Sequence, residues 1–200
     1  MDKLLIIVRH GLSSSGEDSP LSGDGRNQVD ALKNVINTIT EEVYGKEAMP
    51  RRLLFCFSRL MRATESIERL SSSTRYEDTV ITNLYLTERS EIREPQKIVE
   101  KVLGLINHYG ASLAVIVAHG EMPSVIAEAA SNLVTGEKIG ELPYPGNAHG
   151  FIVNMTTGAI LKINPKLLEE RQVGNNKKET PPVQVVEKNP GSALDNDIPF

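Results

Sequence analysis

Two apolar runs in this chain end on the same pair of residues. Residues 4–8, LLIIV, lead into Arg9-His10-Gly11, and residues 113–118, LAVIVA, lead into His119-Gly120. In an open α/β sheet, ligands bind in the crevice beyond the carboxyl ends of the strands. If both runs are strands, that crevice receives two imidazoles and a guanidinium, and Gly11 lets the chain turn sharply there. An imidazole nitrogen without its proton is a nucleophile, and cations beside it neutralise charge on a reacting anion.

A third run adds to the constellation. Residues 52–57, RLLFCF, are followed by Ser58-Arg59-Leu60-Met61-Arg62, with Ser58 expected to start a helix. Arg59 and Arg62 then share one face of its first turn. Arginine forks bind phosphate oxygens bidentately, and a helix N-terminus also attracts anions. Gathering this much positive charge is costly without an anion to offset it. The alternative is that both arginines are solvated and pair with Glu65 or Glu68 on the helix surface.

The elements that must position these side chains follow from the apolar pattern. Strands are expected over 3–8, 52–57, 112–118 and 150–155, with a weaker one over 79–84. Helices are expected from Ser22 through VDALKNVINTI, after Ser58 over LMRATESIERL, from Pro95 over PQKIVEKVLGLINHY, and over MPSVIAEAASNLV. Near-continuous apolar strands alternating with amphipathic helices indicate a three-layer α/β/α sandwich around a mostly parallel sheet. The late segment GFIVNMTTGAILKIN reads as a hairpin about its TTG turn. One domain over 1–164 is expected, with 165–200 a flexible or extended tail rich in Pro, Asn, Lys and Glu.

Composition narrows the class. The chain has 200 residues, 40% hydrophobic and 24% charged, and a net charge of −4. Nothing in that balance points to nucleic acid. No run approaches the roughly 18 apolar residues of a membrane span, and no cleavage site follows the N-terminal apolar stretch, so a cytoplasmic protein is expected. Cys56 is the only cysteine and sits in an apolar run, which reads as core. The four histidines are scattered, so neither a metal nor another cofactor is expected.

Arg9-His10-Gly11, Ser58-Arg59-Leu60-Met61-Arg62-Ala63-Thr64 and Val117-Ala118-His119-Gly120 resemble, in order and at the expected strand ends, the motifs of the histidine phosphatase superfamily, which includes the phosphoglycerate mutases. The layout of Ser19-Pro20-Leu21-Ser22-Gly23-Asp24-Gly25-Arg26 is similar to that of the small bacterial phosphohistidine phosphatases. The resemblance covers about residues 3–163. It implies a phosphoglycerate mutase-like fold and a metal-independent phosphatase in which His10 takes the phosphoryl group. Arg9, Arg62 and His119 would neutralise the phosphoryl oxygens. Gly11, Ser58, Arg59 and Gly120 would contribute to substrate binding.

The resemblance also implies a general acid, often a glutamate in a loop after the third strand. NLYLTERSEIREPQ offers Glu88, Glu91 and Glu94, none in a mutase context, and Glu121, two residues after His119, is another candidate. His149 reads as a polar loop residue and His108 as a helix-end residue. The loop LSSSGEDSP lies over the crevice, its serines able to contact phosphate and its Glu17 and Asp18 disfavouring a highly anionic substrate. The expected partner is a phosphorylated small molecule or a phosphoprotein. The competing readings are a mutase or small-metabolite phosphatase, and a phosphate-binding module without turnover.

Overall fold

The computed structural model describes residues 2–46, 50, 52–72, 78–84 and 94–176. In chain order the elements are β1 (Leu4–Arg9), α1 (Gly23–Tyr44), β2 (Arg52–Phe57), α2 (Met61–Ser71), β3 (Asp78–Asn83), α3 (Pro95–Tyr109), β4 (Leu113–Ala118), α4 (Met122–Thr135), β5 (Gly150–Asn154), β6 (Ile160–Ile163) and α5 (Leu167–Asn176). The strands form one sheet in the order β3-β2-β4-β1-β5-β6. The first four run parallel, and β5 lies antiparallel to both β1 and β6. The expected three-layer sandwich with a mostly parallel sheet is therefore present, and so is the late hairpin, whose turn includes Gly158 at φ +76°.

The unbroken apolar character of β1 has a direct cause, since both sheet faces are covered. Leu4, Ile6 and Val8 pack with Val29, Leu32 and Val35 of α1 and Ile67 of α2. Leu5 and Ile7 pack with Val99, Val102 and Ile106 of α3 and Ile126 and Ala130 of α4. Burying each such side chain contributes roughly 1.5–3 kcal/mol. Cys56 lies fully buried in the second cluster, where burial pushes its thiol up to about 12.

Register decides where the strands deliver their last residues. Arg9 of β1 pairs with Ala118 of β4, so His10 and His119 leave the sheet at the same level on adjacent strands. Phe57 of β2 pairs with Val117 of β4, which brings Ser58 to that level as well. Two helix starts agree with the sequence: Ser22 caps α1 by accepting from the Gly25 N–H at 3.0 Å, and Pro95 opens α3.

Two elements differ from expectation. The second helix starts at Met61 with Leu60 at its N-cap, and Ser58 instead accepts from the Leu60 N–H at 3.3 Å. Arg59 therefore precedes the helix and does not share its first turn with Arg62. In addition, α5 occupies the first part of the segment assigned to a tail, and its Leu167 and Leu168 pack against the core. Residues 177–200, including VQVV, lie outside the described residues.

The start of α1 lies against the chain just beyond β1. Ser22 donates through both its N–H and its hydroxyl to the Leu12 carbonyl, at 2.9 and 3.1 Å. A Cβ on Gly25 would stand 1.9 Å from that same oxygen. Gly25→Ala should accordingly destabilise the protein by about 1–3 kcal/mol, read as a lower urea midpoint at unchanged slope. An unchanged midpoint would show that this approach is not tight in solution.

Candidate active site

The end of β1 is tied on both sides. The His10 N–H donates to the Ala118 carbonyl at 3.2 Å, the His10 carbonyl accepts from Ala148, and the Arg9 N–H donates to the His149 carbonyl. Clamped in this way, the His10 side chain has defined neighbours at both ring nitrogens. Nδ1 lies 2.6 Å from the Gly11 carbonyl oxygen, which can only accept, so Nδ1 carries the proton. Nε2 faces the Nε–H of Arg62 at 3.1 Å and must offer its lone pair. Both contacts select one neutral tautomer. Burial lowers the His10 pKa to about 4; the Gly11 hydrogen bond opposes that shift, and Arg62 and Arg9 add to it.

The second imidazole lies beside the first, with ring centroids 5.0 Å apart. His119 is fully buried, and among the described residues neither of its ring nitrogens has a hydrogen-bond partner. Its pKa falls to about 3, through burial first and then through His10, Arg62 and Arg9. Arg9 donates from Nη1 to the Pro145 carbonyl at 3.3 Å and lies over the Tyr144 ring at 5.2 Å, while its Nε is buried without a partner among the described residues. A buried polar group left unpaired costs about 1–3 kcal/mol. Arg9 Nε–H and the one His119 nitrogen that carries a proton are unmet donors near His10 Nε2, an arrangement suited to an anion.

Arg62 completes the cluster. Its Nη1 donates to the Glu17 carbonyl at 2.6 Å, in the loop over the crevice. The surface alternative is not adopted by Arg62. Glu65 pairs with Arg26 at 2.6 Å and accepts from the Leu21 N–H at 2.8 Å. The start of α2, expected to face an anion, is occupied by Asp18, whose Oδ1 accepts from the Met61 N–H at 2.7 Å.

The remaining sequence candidates divide. Ser58 is buried beside the cluster, and Arg59 is exposed with no hydrogen bond tying it to the four central residues. The Gly11 N–H donates to Ser66 Oγ at 3.4 Å, so this glycine acts through its carbonyl and its lack of a side chain. Gly120 has φ +51°, a conformation that favours glycine where β4 turns into α4. Glu121 sits exposed at the N-cap of α4. It lines a cleft of about 340 Å³ with Ser124, Glu128, Glu141, Leu142 and Tyr144. Tyr144 also covers Arg9, which joins that cleft to the cluster. Glu88 and Glu91 lie outside the described residues, and Glu94 pairs with Lys97 at 2.6 Å. His149 turns Nδ1 to the Asn147 carbonyl at 2.8 Å, and His108 packs edge-on to Tyr109.

Sequence reasoning missed the wall over Arg9. Tyr144, Pro145 and Ala148 (φ +55°) come from PYPGNAH, whose proline and glycine pattern marks a tight loop but not its neighbour. No group of three or more His, Cys, Asp or Glu side chains able to hold a metal occurs among the described residues. No helix among them is long and apolar enough to cross a membrane.

The fold is that of the histidine phosphatases, in the phosphoglycerate mutase-like arrangement. A protein histidine phosphatase SixA complexed with tungstate superposes with a TM-score of 0.54 at 15% identity, covering 82% of this chain and 99% of the other. A native mycobacterial glucosyl-3-phosphoglycerate phosphatase gives 0.54 at 16% identity, covering 81% and 97%. The VO3 complex of mycobacterial glucosyl-3-phosphoglycerate phosphatase gives 0.51 at 18%, covering 76% and 92%. No family profile matches the sequence, and no curated protein matches it.

The two depressed imidazoles have a consequence for stability. Unfolded, both titrate near the ordinary 6.5; folded, they titrate near 4 and 3. Between those values the unfolded chain holds more protons, so these groups favour folding above pH 6.5 and lose that contribution as pH falls through the window. Denaturant unfolding at pH 7 and at pH 4.5 should show wild type losing more stability than His119→Asn, which cannot titrate. Equal losses would mean that His119 is not held neutral by the fold.

Proposed function

We propose that this protein is a phosphatase that works through a phosphohistidine intermediate on His10. The observation that carries the reading is the His10 tautomer. Nδ1–H is held on the Gly11 carbonyl while the Nε2 lone pair faces a cradle of Arg9, Arg62 and His119. In the first step Nε2 bonds to phosphorus and the bond from phosphorus to the leaving group breaks. In the second, water attacks phosphorus, the P–Nε2 bond breaks and orthophosphate leaves. As Nε2 bonds to phosphorus, the Arg62 Nε–H is freed for a phosphoryl oxygen, and Arg9 and His119 surround the others.

The charge on these residues lets the reaction proceed without a metal. A proton for the leaving group would come from Glu121 at the mouth, or from Glu88. The substrate is a phosphomonoester or a protein phosphohistidine, the latter because a phosphoramidate nitrogen departs without a strong acid. Fold neighbours bearing the names of a protein histidine phosphatase complexed with tungstate and of a glucosyl-3-phosphoglycerate phosphatase complexed with VO3 support a reading in which this fold takes an oxyanion. The catalytic domain takes in 1–164, with α5 packed onto its core, and the protein acts in the cytoplasm. A mutase or small-metabolite phosphatase on the same fold is the second reading; it would make more use of Glu121.

Turnover of p-nitrophenyl phosphate in the presence of chelator should be measured for wild type and His10→Ala. The substitution should lower kcat by at least about a thousandfold, as for loss of a covalent nucleophile. Equal activity in the two proteins would overturn the mechanism and leave a phosphate-binding module.

A further inference from the structure

The loop between Gly11 and Leu21 is folded on itself before it meets the site. Ser13 bridges Leu21, the Ser14 N–H donates to the Pro20 carbonyl at 2.9 Å, and the Ser19 hydroxyl donates to the Ser14 and Gly16 carbonyls at 2.6 and 3.1 Å. Gly16, at φ +126°, supplies a backbone conformation that L side chains rarely adopt. This internal bracing presents two consecutive acceptors to α2, the Glu17 carbonyl on Arg62 Nη1 and the Asp18 carboxylate on the Met61 N–H. The helix has no side-chain cap of its own, because Leu60 stands at the N-cap. Asp18 therefore caps it from 43 residues away in sequence.

We propose that Glu17 and Asp18 form a latch that aims Arg62 at His10 Nε2, which makes Asp18 a positioning residue for phosphoryl transfer. The proposal rests on the reading of His10 as nucleophile. An arginine side chain loses roughly 1.5–2 kcal/mol of rotamer freedom when held in one geometry. Arg62 is held at two points, Nε on His10 and Nη1 on Glu17. The first contact must break when Nε2 bonds to phosphorus. The second persists, so the guanidinium stays in place to receive the phosphoryl oxygens. Asp18 fixes the first turn from which Arg62 projects, and its carboxylate occupies the helix end, directing an incoming anion to the remaining guanidinium N–H groups.

The titratable and charged groups facing His10 are Arg9 from β1, Arg62 from α2 and His119 beyond β4. Arg9 and Arg62 lower its proton affinity, so a wandering Arg62 should let the His10 pKa rise. The experiment compares wild type, Asp18→Ala and Asp18→Asn as full chains. Imidazole NMR titration reads the His10 pKa, and calorimetry reads the affinity for inorganic phosphate. Asp18→Ala should raise the His10 pKa by about one unit and weaken phosphate binding about tenfold. Asp18→Asn should stay close to wild type in both, since asparagine caps as well as aspartate.

Wild-type values in Asp18→Ala, or an Asp18→Asn that behaves like alanine, would overturn the latch. Failure of the phosphatase reading is seen separately, as turnover that survives His10→Ala; neither binding nor titration depends on that result.

Discussion

The hydrogen bond from His10 Nδ1 to the Gly11 carbonyl, 2.6 Å long, decides which nitrogen of the ring is left to react. That carbonyl has to be fixed first, and two helices on one sheet face fix it. From α1, a Cβ on Gly11 would meet the Gly25 carbonyl oxygen at 2.5 Å and Val29 at 2.9 Å, so the backbone approaches as closely as glycine allows. From α2, Ser66 Oγ accepts the Gly11 N–H and in turn donates to the Arg62 carbonyl at 2.7 Å. Gly11, whose carbonyl orients the His10 ring, is thus joined at its own N–H through one serine to the helix that carries Arg62. Packing of α1 and α2 on the sheet contributes to the tautomer as well as to stability.

Electrostatics imposes the next constraint. Two arginines and two histidines in one crevice would carry four positive charges if all were protonated. The fold avoids this by burial, which drives both imidazoles neutral well above their folded pKa values of about 4 and 3. The positive charge then resides on Arg9 and Arg62 alone among these four. Each guanidinium is steadied by groups that leave part of it uncommitted. Arg9 has the Tyr144 face and the Pro145 carbonyl, and Arg62 has Glu17 and His10. Desolvated donors with no internal partner gain most when an anion arrives, because their hydration has already been given up.

What was legible in the sequence was what depends on one strand or one turn. The buried strands and their His-Gly endings follow from unbroken apolar runs, and the hairpin follows from Thr156-Thr157-Gly158. The meeting of His10 and His119 was also within reach, since adjacent parallel strands need only agree in register. The start of α2 was not, because Ser58 is a good cap by type and the residue that caps the helix belongs to another loop. Nor was the Tyr144 cover on Arg9, which brings together residues 135 positions apart through a loop without periodicity. A side chain that reaches a strand end or helix start from an irregular loop leaves no pattern in the element it meets.

The same division bears on how this fold handles different leaving groups. On the phosphatase reading, the phosphoryl side is made by His10, His119 and Arg9, at strand ends whose backbone is held by register, and by Arg62, held from two directions. The leaving-group side on that reading is the cleft between the start of α4 and residues 141–144, with Glu121, Glu128 and Glu141 along it. Glu128 is partly committed, accepting the Leu142 N–H at 2.6 Å, whereas Glu121 is exposed at the helix end. A departing alkoxide must gain a proton, and a departing phosphoramidate nitrogen makes much less demand for one. On the phosphatase reading, changes along that cleft would alter which leaving group is served while the cluster around His10 stays as it is, the usual way in which one fold hosts several substrates.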